Sequence, residues 1–246
     1  MGDRHYFIVN PAAVRGNRFA LDKTETHHLQ KVLRMQIGAE LWLIDGCGIT
    51  YQARLSNSVN GLTEGDILAV YPDAGESVLK IHLALGLIKR DNLEFAVEKA
   101  VELGVASITT LLLNRSVKRK LRIERTEKII IKATKQSGRS RFAELRSPIS
   151  LAAWLKRCTG HSILVCHSSG TETISDWYRN QAQPHVPISV LIGPEGDFSE
   201  DELDRLQHSG SNFVTLGNRR LRSETAAIAA LSILNDCANM KGISHE

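Results

Sequence analysis

From residue 79 onward, apolar and polar positions alternate with the periods of strands and helices in turn. Leucine or isoleucine occupies every second position of 79–85, which predicts a strand. The apolar positions from Leu93 to Val101 then follow the spacing of one buried helical face, and Gly104 can end that helix. Asp91 and Glu94 predict a capping box at its start.

The same two periods predict the remaining elements of this part of the chain. Ser199 and Glu202 have the spacing of another capping box, immediately before a helical pattern. Because strands alternate with helices, we expect an α/β fold with a mostly parallel sheet. Further strands are predicted at 107–113, 162–166, 188–192 and 213–216, and further helices at 123–137, 151–157, 200–208 and 224–239.

Residues 1–72 have a different pattern, which predicts a small strand-rich domain. Short apolar stretches are separated by Gly, Asn and Asp, and one helix is expected near 26–35. The segment 72–77 has the composition of a linker, so the second domain is expected to span 78–246. The predicted strands of the first domain lie at 6–9, 40–44, 50–55 and 66–71.

Composition restricts the class of protein. Of 246 residues, 42% are hydrophobic and 24% charged, which is ordinary for a globular chain. No apolar run approaches the ~20 residues of a membrane span, so we expect no membrane association. Four scattered cysteines without a Cys-x-x-Cys pair indicate a reduced, cytoplasmic protein. The adjacent His27 and His28 lack the spacing of helical metal ligands, and we expect no metal site.

The positive charge of the chain is concentrated in one segment. Residues 115–146 hold twelve Lys or Arg and three Glu, a net charge of +9, whereas the whole chain carries +4. A basic segment in an otherwise acidic body favours a polyanionic partner such as nucleic acid over a merely solvated helix face.

Three polar loops follow predicted strands, at 86–91, 193–198 and 217–225. Ligands of open α/β sheets collect at the carboxyl ends of the strands, so we expect these loops to converge. Gly193 and Gly196 flank Pro194 in a turn that suits either an adenine-type cofactor or a plain helix entry. The chain lacks a P-loop, a complete dinucleotide fingerprint and a Gly-x-Ser-x-Gly motif, which disfavours the corresponding NTPases, oxidoreductases and hydrolases.

Six segments, in this order along the chain, carry a resemblance to a known family. Any one of them is weak, but together they are specific and span nearly the whole chain. They are His27–Arg34, Val97–Val105, Asn114–Ser116, Gln136–Arg139, Ile192–Ser199 (IGPEGDFS) and Leu216–Ala226 (LGNRRLRSETA). In these segments the chain resembles the RsmE family, SPOUT-class enzymes that methylate N3 of a uridine in 16S ribosomal RNA.

The resemblance implies a fold and partners that periodicity does not reveal. It implies a PUA-like barrel at 1–72 that helps to hold RNA, followed by a SPOUT methyltransferase domain at 78–246. The end of the second domain is expected to form a trefoil knot, which is a rare exception among chain paths. The implied cofactor is S-adenosylmethionine, held in the knot of a homodimer, and the implied partner is 16S rRNA or the small ribosomal subunit.

The resemblance also assigns roles to residues. Arg222 is the candidate that stabilises negative charge on a uracil oxygen, and Glu224 is the candidate base or the residue that orients Arg222. Their alternatives are a surface charge and a carboxylate favoured by the helix dipole. The expected cofactor contacts are Leu191, Ile192, Gly193, Pro194, Glu195, Gly196, Leu216, Gly217, Asn218, Leu221 and Thr225. The expected RNA contacts are Arg34, Lys89, Arg90, Arg115, Lys118, Arg119, Arg139 and Arg141.

Two departures from the family pattern stand in the candidate loops. Asp197 replaces the usual Gly, where it either weakens cofactor binding or points to solvent, and Asn218 replaces the usual Pro. Glu98 and Glu102 are expected to pair with the basic residues across the domain. The alternatives are a non-enzymatic RNA-binding or ribosome-assembly factor and a SPOUT enzyme with another RNA target, with a dinucleotide-dependent oxidoreductase as a weaker third.

Overall fold

The computed structural model describes residues 5–59, 62–116, 120–183 and 185–243. It divides the chain into two compact units. The N-terminal unit comprises residues 1–76 together with 131–142, and the C-terminal unit comprises 77–130 together with 143–246. The division therefore assigns part of the basic segment to the N-terminal unit.

The N-terminal unit is a curled, six-stranded β half-barrel, as the strand-rich pattern predicts. Its sheet order is β1-β4-β5-β6-β3-β2, with β1 and β4 parallel and the other neighbours antiparallel. The long central hairpin extends well beyond the predicted strands. The bounds are β1 Tyr6–Ile8, β2 Val14–Arg15, β3 Arg18–Ala20, β4 Glu40–Ile44, β5 Ile49–Val59 and β6 Leu62–Pro72.

The helix of this unit begins earlier than the sequence predicts. Helix α1 spans Lys23–His27, and its N-cap is Asp22, whose side chain accepts a hydrogen bond from the backbone N–H of Glu25. A π-helical turn, His28–Val32, continues it. Asp22 precedes the periodic apolar positions from which the helix is predicted, so the predicted start at residue 26 is too late.

The C-terminal unit is an α/β fold whose seven strands are all parallel to their neighbours, which confirms the predicted sheet type. Its order is β11-β13-β10-β12-β7-β8-β9. Strands β9 and β11 were not predicted. The bounds are β7 Ile81–Gly86, β8 Ser107–Leu112, β9 Glu144–Ser150, β10 Ser162–Cys166, β11 Glu172–Thr173, β12 Ile188–Ile192 and β13 Asn212–Thr215.

Helices cover both faces of this sheet. Helices α4 and α6 pack their Trp154 and Leu206 side chains against one face, and α7 contacts α2, β7 and β12 on the other. Helix α5 was not predicted. The bounds are α2 Arg90–Glu102, α3 Ile123–Ser137, α4 Leu151–Arg157, α5 Ile174–Gln181, α6 Glu200–His208 and α7 Ser223–Ile243.

Of the two predicted capping boxes, one is confirmed and one is wrong. Ser199 and Glu202 form the box at the start of α6. Helix α2 instead begins at Arg90 with no side-chain cap, so Asp91 lies inside the first turn, and the carboxylate of Glu94 binds the guanidinium of Arg125. In the described part of the chain no helix is long and apolar enough to cross a membrane.

Candidate active site

The carboxyl ends of the parallel strands place several loops at one edge of the C-terminal sheet. Residues 87–89 follow β7, 167–171 follow β10, 193–199 follow β12 and 216–222 follow β13. Because β10 lies between β12 and β13, its loop lies between the two glycine-containing loops. This fourth loop was not predicted from the sequence to belong to the site.

Three hydrogen bonds join the loops that were expected to converge. The backbone N–H of Lys89 donates to Glu195 Oε1 over 3.0 Å. Arg220 Nη2 donates to the carbonyl oxygen of Glu195 over 3.5 Å, and Ser223 Oγ donates to the buried carbonyl of Gly193 over 2.8 Å. The loops after β7, β12 and β13 therefore meet at the 193–196 turn.

Two glycines show why the chain can follow this path. A Cβ atom on Gly86 would lie 2.7 Å from both the backbone nitrogen and Cδ of Pro194, so this close approach requires glycine. Gly217 has a φ of +105°, and no heavy atom lies within 4 Å of the position its Cβ would take. The loop after β13 therefore has open space beside Gly217, whose backbone conformation only glycine adopts readily.

The expected cofactor residues differ in how far their side chains are exposed. The side chains of Leu191, Ile192 and Pro194 are buried, so the strand end can offer a ligand its backbone groups. Leu216 and Leu221 are half-buried, and Gly193 lies against the ring of Phe198. Gly196, Gly217, Asn218 and Thr225 are exposed.

Two carboxylates in this region have a buried oxygen atom without a hydrogen-bond partner among the described residues. They are Glu224, in the first turn of α7 and 7% exposed, and Glu195. A buried acceptor left unpaired costs about 1–3 kcal/mol, so such atoms favour binding of a group that donates hydrogen bonds. Hydroxyl and amino groups of a nucleoside cofactor are such donors, and the residues at this edge fit one.

Arg222 is exposed, as a residue that meets a substrate must be. No hydrogen bond or ion pair joins it to Glu224 among the described residues, so the expected orienting contact between them is not observed. Arg219 and Arg220 are also exposed, which makes the whole loop cationic.

Asp197 contacts the loop that sequence reasoning missed. Its φ is +63°, its Oδ1 accepts from the N–H of Phe198, and its Oδ2 lies 3.4 Å from Nε2 of His167. The His167 ring also meets the rings of Phe198 and Phe213 edge-on. A polar residue directly after β10 was the available signal for this contact.

Three of the expected RNA contacts in the C-terminal unit lie at the same edge. Lys89, Arg90 and Arg115 are exposed, and Arg115 Nη1 donates to the carbonyl oxygen of Gly196 over 3.2 Å. Lys118 and Arg119 lie outside the described residues. Glu98 and Glu102 bind Lys99 of their own helix, and their expected pairing with the basic residues is not observed among the described residues.

Three further expected RNA contacts belong to the N-terminal unit. Arg34 is exposed with a φ of +53°, and Arg141 is exposed while binding Asp73. Arg139 is only 3% exposed, and its guanidinium binds the carboxylate of Glu76 over 2.7 Å. A phosphate does not reach this buried group, so the prediction for Arg139 is wrong and its role is structural.

A protein metal site requires several His, Cys, Asp or Glu side chains close together. Within the described ranges, no three His, Cys, Asp or Glu side chains gather in a way that could hold a metal ion.

Comparison with known proteins assigns a family to both units. The model of an RNA methyltransferase domain matches residues 75–235, and that of an RNA methyltransferase PUA domain matches residues 21–58. The ribosomal RNA small subunit methyltransferase E of Buchnera aphidicola is 31% identical over 226 residues, covering 87% of this chain and 89% of its own.

Two solved structures share the fold over nearly their full lengths. A Legionella pneumophila protein in complex with its cofactor SAM has a TM-score of 0.82 and 32% identity, covering 95% of this chain and 98% of its own. A ribosomal RNA small subunit methyltransferase E from Neisseria gonorrhoeae, bound to S-adenosyl methionine, has a TM-score of 0.84, 27% identity and the same two coverages. The chain therefore belongs to the ribosomal RNA small subunit methyltransferase E family of RNA methyltransferases.

Proposed function

We propose that this protein transfers a methyl group from S-adenosylmethionine to N3 of a uridine in 16S rRNA of the small ribosomal subunit. The observation that carries the proposal is the convergence of the 193–196 and 216–222 loops beside the unpaired buried oxygens of Glu195 and Glu224. Relatives with this fold have been solved with S-adenosylmethionine bound.

The backbone groups of 191–196 and 216–221, with Thr225 beside them, would hold the cofactor, which supplies the methyl group when bound. Glycine at 217 leaves room for a ligand to approach the backbone closely. The buried Glu195 and Glu224 oxygens would accept hydrogen bonds from donor groups brought into the site.

The chain's own residues would prepare the uracil. Its N3 is an imide nitrogen that carries a proton, so the site must favour the anion or accept that proton. The exposed guanidinium of Arg222 would stabilise negative charge on a uracil oxygen. Glu224 is the candidate proton acceptor, because its carboxylate is buried at the same edge with one oxygen unpaired.

The exposed cations at this edge would bind phosphates of the RNA, which gives affinity without sequence information. The target base lies in structured RNA and would have to be unstacked to reach the site. A cytoplasmic homodimer, with the end of the C-terminal domain forming a trefoil knot, is the assembly that the family resemblance implies.

Calorimetric titration with S-adenosylmethionine tests the cofactor assignment. We expect binding that is lost when Gly217 is replaced by Val, since a bulky side chain would fill the open space beside the loop. Gly16 has a positive φ and equally open surroundings in the N-terminal unit, so Gly16→Val is the matched control and should bind normally. A folded wild-type protein that does not bind the cofactor would contradict the proposal.

A further inference from the structure

A pair of like charges lies directly across a tight hairpin in the N-terminal unit. Strands β2 and β3 are joined by Gly16 and Asn17, and their register places Arg15 opposite Arg18. Directly opposite residues of an antiparallel pair project from the same face of the sheet with their Cβ atoms ~5 Å apart, and like charges there are destabilising. Both arginines are exposed.

The hairpin is held in place rather than left to relax. Gly16 has a φ of +58°, the left-handed geometry that the first central residue of a two-residue hairpin requires. The carbonyl oxygen of Asn17 accepts a 2.8 Å hydrogen bond from the N–H of Ile67 on β6. The two guanidinium groups are therefore presented from a fixed backbone.

Neighbouring carboxylates compensate only one of the two arginines. Arg18 forms ion pairs with Glu64 over 3.5 Å and with Asp66 over 4.0 Å. No ion pair of Arg15 is observed among the described residues. Strand β2 is at the edge of the sheet, where one charged side chain is enough to discourage pairing with another strand. Edge protection therefore explains one of the two arginines, but not the second, which destabilises the hairpin.

An open groove lies against the pair. Its volume is about 560 Å³, and Asn10, Phe19 and Glu64 line it together with the two arginines. A groove of this size takes a ligand of about nucleotide dimensions. Guanidinium groups bind phosphate oxygens through paired N–H donors, and such a ligand would relieve the repulsion between the arginines.

We propose that Arg15 and Arg18 form a binding site for a phosphodiester of the RNA substrate, separate from the candidate active site. The proposal rests on the proposed function for the identity of the RNA. It assigns the hairpin a role in affinity rather than in the chemical step. The stability lost to the like-charge pair would be regained only when RNA is bound.

Methyl transfer to small ribosomal subunits that lack the modification tests this site. For the double variant Arg15→Ala/Arg18→Ala we expect an RNA KM raised about tenfold and a salt dependence of log K reduced by about 1–2, with kcat and cofactor affinity unchanged. The matched control is Lys156→Ala/Arg157→Ala, which removes the same charge from the exposed end of α4 and should leave KM unchanged. A double variant with wild-type KM and salt slope would overturn the proposal.

Two further measurements distinguish an RNA site from a merely structural pair and from a small-ligand site. Arg15→Glu should raise Tm by about 1 °C, because it creates an opposite-charge pair, and still weaken RNA binding; a Tm lowered by several degrees would refute the like-charge argument. Arginine-dependent binding of inorganic phosphate with unchanged RNA affinity would assign the site to a small phosphorylated ligand instead. If the wild-type protein methylates no RNA, the proposed function is wrong. If the wild-type protein is active and the Arg15 and Arg18 variants have the same KM and salt dependence, only the proposed phosphodiester site is wrong.

Discussion

The backbone N–H of Lys89 donates a 3.0 Å hydrogen bond to Oε1 of Glu195, 106 residues further along the chain. This bond ties the loop before α2 to the turn that follows β12. The other carboxylate oxygen of Glu195 is buried and unpaired among the described residues. One side chain thus fixes the position of a loop and leaves an acceptor for a ligand.

Removing that carboxylate should weaken cofactor binding. We expect Glu195→Ala to raise the calorimetric Kd for S-adenosylmethionine about tenfold, because a charge-assisted hydrogen bond is lost and the loop is released. Glu195→Gln keeps a carbonyl oxygen for the N–H of Lys89 and should lose less than half of that free energy. Equal affinities in all three proteins would show that this contact does not organise the site.

Arg222 should act on the chemical step. For Arg222→Ala we expect kcat to fall about 100-fold while the Kd for S-adenosylmethionine stays within about threefold, because the lost donor serves the charge that develops on the uracil. Arg222→Lys should recover part of kcat, since it keeps the charge but not the paired donors. Single-turnover methyl transfer measures this effect, and an unchanged rate for Arg222→Ala would remove the residue from the mechanism.

Substitutions of Asp197 test whether this departure from the family pattern destabilises the fold. Its φ of +63° is strained for a side chain with a Cβ atom and free for glycine. We expect Asp197→Gly to be at least as stable as wild type, whereas Asp197→Ala should lose about 1 kcal/mol because it keeps the strain and loses both polar contacts. Urea unfolding compares the three proteins; a Gly variant less stable than wild type would mean that the contacts outweigh the strain.

Arg139 should matter for stability rather than for RNA. Replacing it with Ala leaves the largely buried carboxylate of Glu76 without its ion pair, and we expect a loss of about 3 kcal/mol in the free energy of unfolding. Arg141→Ala removes an exposed ion pair with Asp73 from the same unit and should cost less than about 1 kcal/mol. Similar Tm values for the two variants would argue against a structural role for Arg139.

Stability should decrease on mild acidification because of a histidine pair at the opposite edge of the C-terminal sheet. Burial, assisted by the neighbouring His161, lowers the pKa of His82 from 6.5 to about 4. Between these two values the unfolded chain binds a proton that the folded protein does not, so stability falls as pH decreases from 6.5 and levels off near 4. Nearby Arg146 and Lys80 lower this pKa further, whereas Glu144 opposes them.

The matched variant His82→Asn removes the titrating group but keeps a polar atom for Ser107, whose hydroxyl lies 2.7 Å from Nδ1 of His82. Thermal unfolding should then depend less on pH between about 6.5 and 4. The lowered pKa of His161, which burial also causes, should leave a smaller residual dependence. An identical pH profile in wild type and variant would rule out His82 as the origin.

Periodicity predicted the parallel sheet because buried strands such as β12 are apolar at nearly every position and their helices have one apolar face. It missed β11, since a two-residue strand has no measurable period. It also missed α5, although Ile174, Trp177 and Tyr178 have the spacing of one buried helical face. The early start of α1 depends on the single Asp22 cap, which lies before the apolar pattern.

The candidate site was only partly accessible from sequence. Strand order decides which loops are neighbours. Because β10 lies between β12 and β13, His167 contacts Asp197, although no sequence motif contains both residues. Burial likewise separates Arg139 from Arg141, two arginines of the same basic segment with different surroundings. Charge patterns locate a segment but do not tell which of its side chains meet solvent.

The most direct test of the central claim is the identity of the modified nucleoside. Purified protein would be incubated with S-adenosylmethionine and small ribosomal subunits that lack the modification, and the RNA would be digested and analysed by mass spectrometry. We expect N3-methyluridine at a single position of 16S rRNA, formed about 100-fold more slowly in reactions with Arg222→Ala. A different methylated nucleoside, or no methylation by a protein that binds the cofactor, would contradict the proposed activity.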